Sequence, residues 1–422
     1  MNYSEALEYI HSINWEFCKP GLERIGALCE GLSHPERGLK FIHVAGTNGK
    51  GSFCAMTERI LREAGYKTGL FTSPYVRFFN ERMMYCGEPI SDGELAEICT
   101  YVKPVADGMT EKPTEFELIT AIAFEYFRRK KCDVVILEAG MGGRLDSTNI
   151  IENPLLSVIT GVALDHTAYL GDTVEKIAAE KAGIIKQGCP VLLGGTDPAV
   201  RKVVEIFAEK RKADFEAVDY SSLEVKKMTL EGSVFDFGKY KNLEVSLLGK
   251  YQPLNAAAVL SAVEILKRQG LEISDENIYS GLKKTTWCAR FEKLSDNPVI
   301  VFDGGHNPEG IEAAISSIES YFGKNKVCLV TGVMRDKDFP HMAHRLATVA
   351  QRVFTLKPHN PRALDAEIYA EVFRREGVPA SAAPDVRKAL ESAISYAKSK
   401  NVPLICLGSL YLYSEIENAL NL

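Results

Sequence analysis

Short apolar runs alternate along the chain with longer stretches in which apolar and polar residues recur at helical spacing. The apolar runs have the length of buried strands, and the stretches between them predict helices. This alternation predicts an α/β protein with mostly parallel sheets. The predicted strands are residues 41–45, 67–71, 132–137, 155–160, 299–302, 326–331, 352–356 and 403–407.

Three stretches depart from this alternation. Residues 72–89 read as an irregular loop rich in aromatic and charged residues, and residues 215–248 form short alternating runs that predict a β-hairpin insert. The polar stretch 295–298 is the predicted domain boundary, so the chain divides into residues 1–295 and 296–422. A chain of 422 residues is too long for one compact core, which agrees with two domains.

The first predicted strand runs into a glycine-rich turn, residues 46–52, and then into a helix. The glycines let several backbone N–H groups point inward, and the N-terminus of the helix adds a positive end. Such a turn suits a polyphosphate, and Lys50 would reach the terminal phosphates as a point charge. Val44 and Gly51 depart from the usual phosphate-loop spelling, which has Gly and then Ser or Thr at these positions. The alternative is an ordinary glycine-rich turn between a strand and a helix.

Two further strand ends carry candidate chemistry. Glu138 ends a buried strand and is followed by several glycines. A carboxylate at the carboxyl end of a parallel strand beside a phosphate turn is a candidate magnesium ligand. The alternative for Glu138 is a strand-end side chain that faces water. His166 follows another strand end, where a metal ligand and an ordinary structural histidine are about equally good interpretations.

The composition narrows the class of protein. A chain with 46% hydrophobic and 25% charged residues is typical of globular proteins, and its net charge of −6 does not favour nucleic acid or an anionic membrane as a partner. We expect no signal peptide from the first ten residues and no membrane span. The ten cysteines are scattered without a C-x-x-C pair, which favours reduced thiols in a cytoplasmic protein.

Several motifs occur in one order along nearly the whole chain, and together they resemble the folylpolyglutamate synthase/dihydrofolate synthase branch of the Mur ligase superfamily. The phosphate turn and the glycine-rich block after Glu138 are the most specific of them. The motifs are AGTNGKGS (45–52), SP (73–74), LEAGMGGRLDSTN (137–149), LDH (164–166), EKAGIIK (180–186), DGGHNP (303–308) and GSLYL (408–412).

The resemblance implies a fold and a reaction. The fold is α/β, with a P-loop NTPase-like parallel-sheet N-terminal domain that also carries the folate-binding loops, and a smaller Rossmann-like α/β C-terminal domain. The reaction is an ATP-dependent ligation: the γ-phosphate of ATP goes to a folate carboxylate, and the amine of L-glutamate attacks the resulting acyl phosphate. Either dihydropteroate or a reduced folate could supply the carboxylate, and the sequence does not decide between them.

The same resemblance implies roles for individual residues. Lys50 would hold the β- and γ-phosphates, Mg²⁺ would bind through Ser73 and Glu138, and a second ion would lie near His166. Lys181 would be carbamylated, whereas from the sequence alone it is simply a lysine in the last turn of a helix. The remaining phosphate-loop residues with a binding role are Thr47, Asn48, Gly49, Gly51 and Ser52.

The resemblance also implies residues that bind the rest of the nucleotide and the folate. The nucleotide-binding residues are Gln252, Asn255, Arg290, Asp303 and His306. Arg77 and Phe78 would flank the folate, since aromatic stacking suits a flat heterocycle. Three positions depart from the family pattern: Trp287-Cys288-Ala289-Arg290 replaces a Pro-Gly-Arg turn, Tyr251 replaces a His, and Gly305 replaces an Ala.

Two other classes of protein are compatible with a phosphate turn. A switch or motor ATPase with a partner-docking second domain would hydrolyse ATP without further substrates. A Mur-type ligase for cell-wall precursors would need a uridine-binding domain before the turn, and about forty residues are too few for one. The expected protein is therefore a monomeric cytoplasmic ligase that acts on small molecules and binds neither nucleic acid nor membranes.

Overall fold

The computed structural model describes residues 1–13 and 20–420 and divides into two compact units. The first unit contains Met1–Ser221 and Asn255–Lys284, and the second contains Ser222–Leu254 and Thr285–Leu422. One of the ten cysteines, Cys18, lies outside the described residues. The nine cysteines that are described are free thiols.

An eight-stranded sheet forms the centre of the first unit, in the order β4-β3-β2-β5-β1-β6-β7-β8. Strands β2, β5, β1, β6, β7 and β8 are parallel, and β3 and β4 add an antiparallel edge. Strand β1 is buried along its whole length because it pairs with β5 on one side and β6 on the other. The strands are β1 (Phe41–Ala45), β2 (Thr68–Phe71), β3 (Met83–Tyr85), β4 (Glu88–Pro89), β5 (Val134–Glu138), β6 (Leu156–Ile159), β7 (Val191–Leu193) and β8 (Phe215–Ala217).

Within the described residues 1–13 and 20–284, ten helices belong wholly or mainly to the first unit. Capping boxes at Ser91/Glu94 and Thr114/Glu117 begin two of them. The helices are α1 (Tyr3–His11), α2 (Glu23–Gly31), α3 (Lys50–Glu63), α4 (Asp92–Gly108), α5 (Glu115–Lys130), α6 (Thr167–Leu170), α7 (Val174–Ala182), α8 (Pro198–Arg211), α9 (Gln252–Arg268) and α10 (Asp275–Lys284). The first three residues of α9 belong to the second unit.

The second unit contains two sheets. One is antiparallel with three strands in the order β11-β10-β9, and the other has six strands in the order β12-β13-β17-β14-β15-β16. In the larger sheet only β12 runs antiparallel to its neighbour. The strands are β9 (Leu223–Thr229), β10 (Gly232–Phe237), β11 (Tyr240–Val245), β12 (Glu292–Asp296), β13 (Val299–Asp303), β14 (Val327–Thr331), β15 (Ala350–Thr355), β16 (Ala380–Ala382) and β17 (Leu404–Leu407).

Five helices complete the described part of the second unit, and the first three of them pack an apolar core with its larger sheet. Their N-termini are fixed mainly by Asn and Asp side chains that accept hydrogen bonds from the first-turn amides. The helices are α11 (Pro308–Phe322), α12 (Phe339–Ala347), α13 (Ala366–Arg375), α14 (Val386–Lys400) and α15 (Tyr413–Leu420).

The α/β prediction is confirmed, and the differences from it lie in the irregular stretches. Residues 72–89 contain a 3-10 helix, Phe79–Arg82, and the two edge strands β3 and β4. The expected hairpin is a three-stranded sheet, because β9 precedes the pair β10 and β11 and pairs with β10. The predicted boundary, residues 295–298, overlaps the end of β12, and the second unit contains the chain from Thr285 onward.

Candidate active site

The phosphate loop links β1 to α3 and is shaped by two close approaches of its backbone. A Cβ atom on Gly46 would lie 1.9 Å from Thr160 Oγ1, so only glycine fits there without movement. Gly49 has φ +86°, a left-handed conformation that favours glycine, and a Cβ there would lie 2.9 Å from Asn255 Oδ1. The loop therefore runs close against the end of β6 on one side and Asn255 of α9 on the other.

Residues that follow β6 hold the loop by hydrogen bonds. The Thr47 amide donates to the Gly161 carbonyl at 2.6 Å. The Thr47 hydroxyl donates to the Ala163 carbonyl at 3.2 Å and accepts from the Ala163 amide at 3.1 Å. The Thr160 hydroxyl donates to the Asn48 carbonyl at 2.8 Å. These bonds hold the loop through contacts within the protein, which reduces the entropy that a ligand would have to remove.

Two lysine ammonium groups converge on one carbonyl of this loop. Lys50 Nζ donates to the carbonyls of Gly46 and Thr47 at 3.0 and 3.1 Å. Lys181 Nζ, from the last turn of α7, donates to the same Gly46 carbonyl at 2.8 Å. Concentrating positive charge at a turn that leads directly into a helix N-terminus makes a site for an anion.

Lys181 is 3% exposed, and its surroundings disfavour the ammonium form. Burial, with the charge of Lys50 as the second cause, lowers the pKa of Lys181 to about 7, although Asp165 and Asp146 act in the opposite direction. Near neutral pH, the Lys181 side chain is therefore a neutral amine in a substantial fraction of the molecules, whereas an ordinary lysine is almost fully protonated.

Glu138 lies beside this cationic pair. It ends β5, which pairs with β1 so that Val44 and Glu138 are partners in register. Its carboxylate is 5% exposed and 3.9 Å from Lys50 Nζ, and its Oε2 accepts a 3.4 Å hydrogen bond from the Ser73 amide. The Ser73 hydroxyl in turn accepts a 3.1 Å hydrogen bond from Arg82. The structure thus brings Lys50, Lys181, Glu138 and Ser73 together.

A buried polar chain supports the glycine-rich block after Glu138. Asp146 accepts hydrogen bonds from the Met141 amide at 2.9 Å and from the Thr148 hydroxyl at 2.6 Å. Thr148 Oγ1 lies 2.9 Å from Nε2 of His43 on β1. Since the Thr148 hydroxyl donates to Asp146, it accepts from His43, which fixes the Nε2–H tautomer. Burial lowers the pKa of His43 to about 3, so its ring is neutral.

Other residues expected at the site have different surroundings. His166 is exposed, precedes the short helix α6, and its amide donates to Asp165 Oδ1 at 2.9 Å. Arg77 is also exposed, and the exposed fraction of Phe78 is 47%. The Arg77 amide donates to Glu81 Oε2 at 3.0 Å, so the backbone of this loop is held although the two side chains reach solvent.

In the second unit, three of the predicted nucleotide-binding residues, Arg290, Asp303 and His306, lie around Gly304. The Asp303 carboxylate is 4% exposed and accepts hydrogen bonds from the Phe291 amide at 2.9 Å and the Gly305 amide at 2.8 Å. A Cβ on the neighbouring Gly304 would lie 2.6 Å from the Arg290 guanidinium, and His306 Nδ1 lies 2.9 Å from the Gly304 carbonyl. Burial is the main cause that raises the pKa of Asp303, and the charge of Arg290 opposes it.

Some residues at the site were not predicted from the sequence. Thr160 and Gly161 support the phosphate loop, Arg82 orients Ser73, and Asp146 supports the glycine-rich block. Asp146 lies within a recognised motif, so that motif was a usable signal. Thr160 and Gly161 directly follow a strand, but only the pairing of β1 with β6 explains why that strand end lies beside the phosphate loop.

Comparison with known proteins agrees with this geometry. Residues 44–263 match the family model described as Mur ligase middle domain, and residues 289–409 match the Mur ligase glutamate ligase domain. The dihydrofolate synthase/folylpolyglutamate synthase of Bacillus subtilis is 39% identical, with 99% of each chain covered. The folylpolyglutamate synthase of Lacticaseibacillus casei is 36% identical over 100% of this chain and 99% of the relative.

A solved structure of a folylpolyglutamate synthase has the same fold as this chain. The Mycobacterium tuberculosis folylpolyglutamate synthase, complexed with ADP and AMPPCP, superposes with a TM-score of 0.89 at 29% identity, covering 99% of this chain and 98% of that one. The fold and the paired domain matches define a Mur-type ligase, an enzyme that joins an acid to an amino acid at the expense of ATP. Within that class, the chain belongs to the folylpolyglutamate synthase/dihydrofolate synthase family, whose members are ATP-dependent glutamate ligases of folates.

Two further observations describe what the chain lacks. Within residues 1–13 and 20–420, no helix is long and apolar enough to cross a membrane. Over the same residues, no group of three or more His, Cys, Asp or Glu side chains is placed so that it could hold a metal ion.

Proposed function

We propose that this enzyme adds L-glutamate to a folate carboxylate by way of an acyl phosphate, converting ATP to ADP and phosphate. The observation that carries this proposal is the convergence of Lys50 and Lys181 on the Gly46 carbonyl beside the buried carboxylate of Glu138. Transfer of a phosphoryl group depends mainly on positioning and on neutralising charge, and these groups supply both. The carboxylate oxygen attacks the γ-phosphorus, ADP leaves, and the glutamate amine then displaces phosphate from the acyl carbon.

The phosphate loop is proposed to bind the triphosphate. Lys50 would exchange its bonds to the Gly46 and Thr47 carbonyls for the β- and γ-phosphates, which are stronger acceptors. Backbone amides at the start of α3 would bind the same phosphates without reorganisation, because the loop is already braced. Thr47, Asn48, Gly49, Gly51 and Ser52 are the residues proposed for these contacts.

Magnesium fits the donors available at this site. Mg²⁺ is usually bound by one or two carboxylates and completed by water and substrate phosphates, so a cage of three acidic or histidine ligands is not required. Glu138 and Ser73, joined by the bond from the Ser73 amide, are the proposed protein ligands. Bound there, the ion would neutralise the charge that develops on the phosphates. A second ion near His166 remains part of the proposal and follows from the family resemblance.

Lys181 is proposed to react with carbon dioxide. Its neutral amine would form an N–C bond to the carbon of CO₂ and release one proton, which leaves an anionic carbamate in place of a cation. Two properties support this: Lys181 is buried with a pKa lowered to about 7, and the neutral form needed for attack is therefore available. The carbamate would remove the repulsion between Lys181 and Lys50.

A labelling experiment tests the carbamate. We expect the wild-type enzyme in ¹³C-bicarbonate at pH 8 to show a carbamate resonance that is lost in Lys181→Arg, because a guanidinium stays protonated. Lys186 is the matched control, since burial lowers its pKa to about 8 and its Nζ donates to the Asn149 carbonyl. The resonance should persist in Lys186→Arg. The assignment is contradicted if the wild-type spectrum lacks the carbamate resonance. It is also contradicted if the resonance is lost in Lys186→Arg but kept in Lys181→Arg.

The remaining predicted residues are proposed to bind the organic parts of the substrates. Arg77 and Phe78 are proposed for the folate, because an exposed aromatic ring and a cation suit a flat heterocycle with an acidic tail. The residues proposed for the nucleotide are Gln252, Asn255, Arg290, Asp303 and His306. We further propose a cytoplasmic monomer.

ADP release tests the proposed reaction. We expect almost no ADP until both a folate-type acid and L-glutamate are present, since the acyl phosphate forms only on bound acid and is consumed only by the amine. Rapid ADP release from ATP alone would instead indicate a switch ATPase. Parallel assays with dihydropteroate and tetrahydrofolate decide between one activity and two, a choice that the names of the two bacterial relatives leave open.

A further inference from the structure

The segment before and at the start of α9 is held by side chains from elsewhere in the second unit. The Gly249 amide donates to the Tyr321 hydroxyl at 3.0 Å, and the Lys250 amide donates to Ser317 Oγ at 3.0 Å. The Tyr251 hydroxyl donates to Asp303 Oδ2 at 2.9 Å. Tyr321 and Ser317 both belong to α11, and Asp303 ends β13, so three contacts fix the entry into one helix.

The contact between Tyr251 and Asp303 differs from the other two because its acceptor is a buried carboxylate. Asp303 accepts from two backbone amides, those of Phe291 and Gly305, and from the phenol of Tyr251. A hydrogen bond to a charged acceptor is about twice as strong as one between neutral groups, and burial strengthens it further. Burial raises the pKa of Tyr251, so the phenol stays protonated and remains a donor.

The backbone leaves room for this aromatic ring. Gly249 has φ +113°, and a Cβ on it would lie 2.8 Å from the Cζ atom of Tyr251. Residue 249 therefore has to be small for the phenol to reach Asp303. The first residue of α9 is the fully buried Gln252, whose amide donates to the Gly249 carbonyl at 3.0 Å. The position of Gln252 is thus tied to the same short segment as Tyr251.

We infer that Tyr251 is a positioning residue for nucleotide binding, which holds the Asp303 carboxylate and Gln252 in one fixed arrangement. The inference rests on the proposed function, in which Asp303 and Gln252 bind ATP. Without the phenol, the Phe291 amide is the one donor of these three that still bonds to Oδ2 of Asp303. The carboxylate can then rotate away from the position proposed for the ribose. Tyr251 itself need not touch the nucleotide.

The variant Tyr251→Phe isolates the hydroxyl, because the ring is retained. Isothermal titration with AMPPCP and Mg²⁺ is expected to give a Kd about tenfold above that of the wild type, as loss of a charge-assisted hydrogen bond implies. In the ligation assay KM for ATP should rise by a similar factor, whereas kcat and KM for glutamate should stay within about threefold. A general loss of structure would instead change kcat and KM for glutamate as well as KM for ATP.

Tyr369→Phe is the matched control. Tyr369 is buried in the core of the second unit against Phe339 and Phe373, and its loss of a hydroxyl should leave the AMPPCP Kd unchanged. Thermal unfolding of both variants checks that each is folded. A Kd for Tyr251→Phe within twofold of the wild type overturns the inference. If the wild type itself binds no AMPPCP, the proposed function fails first, which is a different result.

A double-mutant cycle asks whether Tyr251 acts through Asp303. Asp303→Asn is expected to weaken AMPPCP binding, and adding Tyr251→Phe to it should weaken binding by no more than about a further twofold, because contacting residues are not additive. If the two substitutions instead raise the AMPPCP Kd by independent factors that multiply in the double variant, Tyr251 does not act through Asp303. That result would overturn the inference.

Discussion

Replacing Lys50 with alanine is expected to lower the ligation rate by about 10³-fold or more, because a preorganised charge on the transferring phosphoryl group is lost. In the structure, Lys50 Nζ is held within 3.0–3.1 Å of two loop carbonyls and 3.9 Å from Glu138. Lys181 does not replace it, since its lowered pKa leaves only part of that side chain charged at neutral pH.

The measurement is the steady-state rate of glutamate-dependent ADP release. Circular dichroism and thermal unfolding should show a folded protein, because the loop keeps its bonds to Thr160, Gly161 and Ala163. Lys176→Ala is the control: Lys176 forms an exposed ion pair with Asp172, and its loss should change the rate by less than twofold. Wild-type turnover by Lys50→Ala would refute the role given to this lysine.

The second large effect is expected for Glu138→Gln. The amide keeps the shape of the side chain but removes the charge, so the Mg²⁺ concentration that gives half-maximal rate should rise by at least about tenfold. The enzyme should regain part of its rate when Mg²⁺ is added in excess. Titration of Mg²⁺ against the initial rate, at saturating ATP and folate, measures the shift.

Glu58→Gln is the matched control for this titration. Glu58 is also a buried carboxylate of the first unit, but it accepts from Thr68 at 2.6 Å and pairs with Arg62 at 3.1 Å. Its loss should lower thermal stability and leave the half-maximal Mg²⁺ concentration where it is in the wild type. A Glu138→Gln enzyme with an unchanged Mg²⁺ requirement would mean that this carboxylate is not a metal ligand.

The central part of the fold could be predicted because buried parallel strands have a strong local signal. Strands β1, β5 and β6 are short apolar runs that end at polar or glycine-rich turns, and each was expected within two residues of its observed ends. The edge strands β3 and β4 were missed since they have three and two residues, too few for a recognisable alternation. The three-stranded sheet was only partly anticipated, because half-exposed strands have weaker patterns.

The candidate site was predictable where a motif and a strand end coincide. Lys50 and Glu138 lie close together because β1 and β5 are neighbours, a pairing that no local pattern specifies. Arg82 was not recognised as a support for Ser73, since an arginine in an irregular loop has many possible partners. The sequence marks Tyr251 only as a departure from a family pattern, because its hydrogen-bond partner Asp303 lies 52 residues away along the chain.

The placement of β1 between β5 and β6 also has a consequence for synthesis on the ribosome. The phosphate loop emerges before β6, and the hydroxyl that braces Asn48 belongs to a residue 112 positions later. A nascent chain that has released β1 without β6 exposes the unpaired edge of a strand that is buried in the folded protein, the kind of surface that chaperones cover. Nucleotide can therefore assist folding only after the sixth strand has left the exit tunnel.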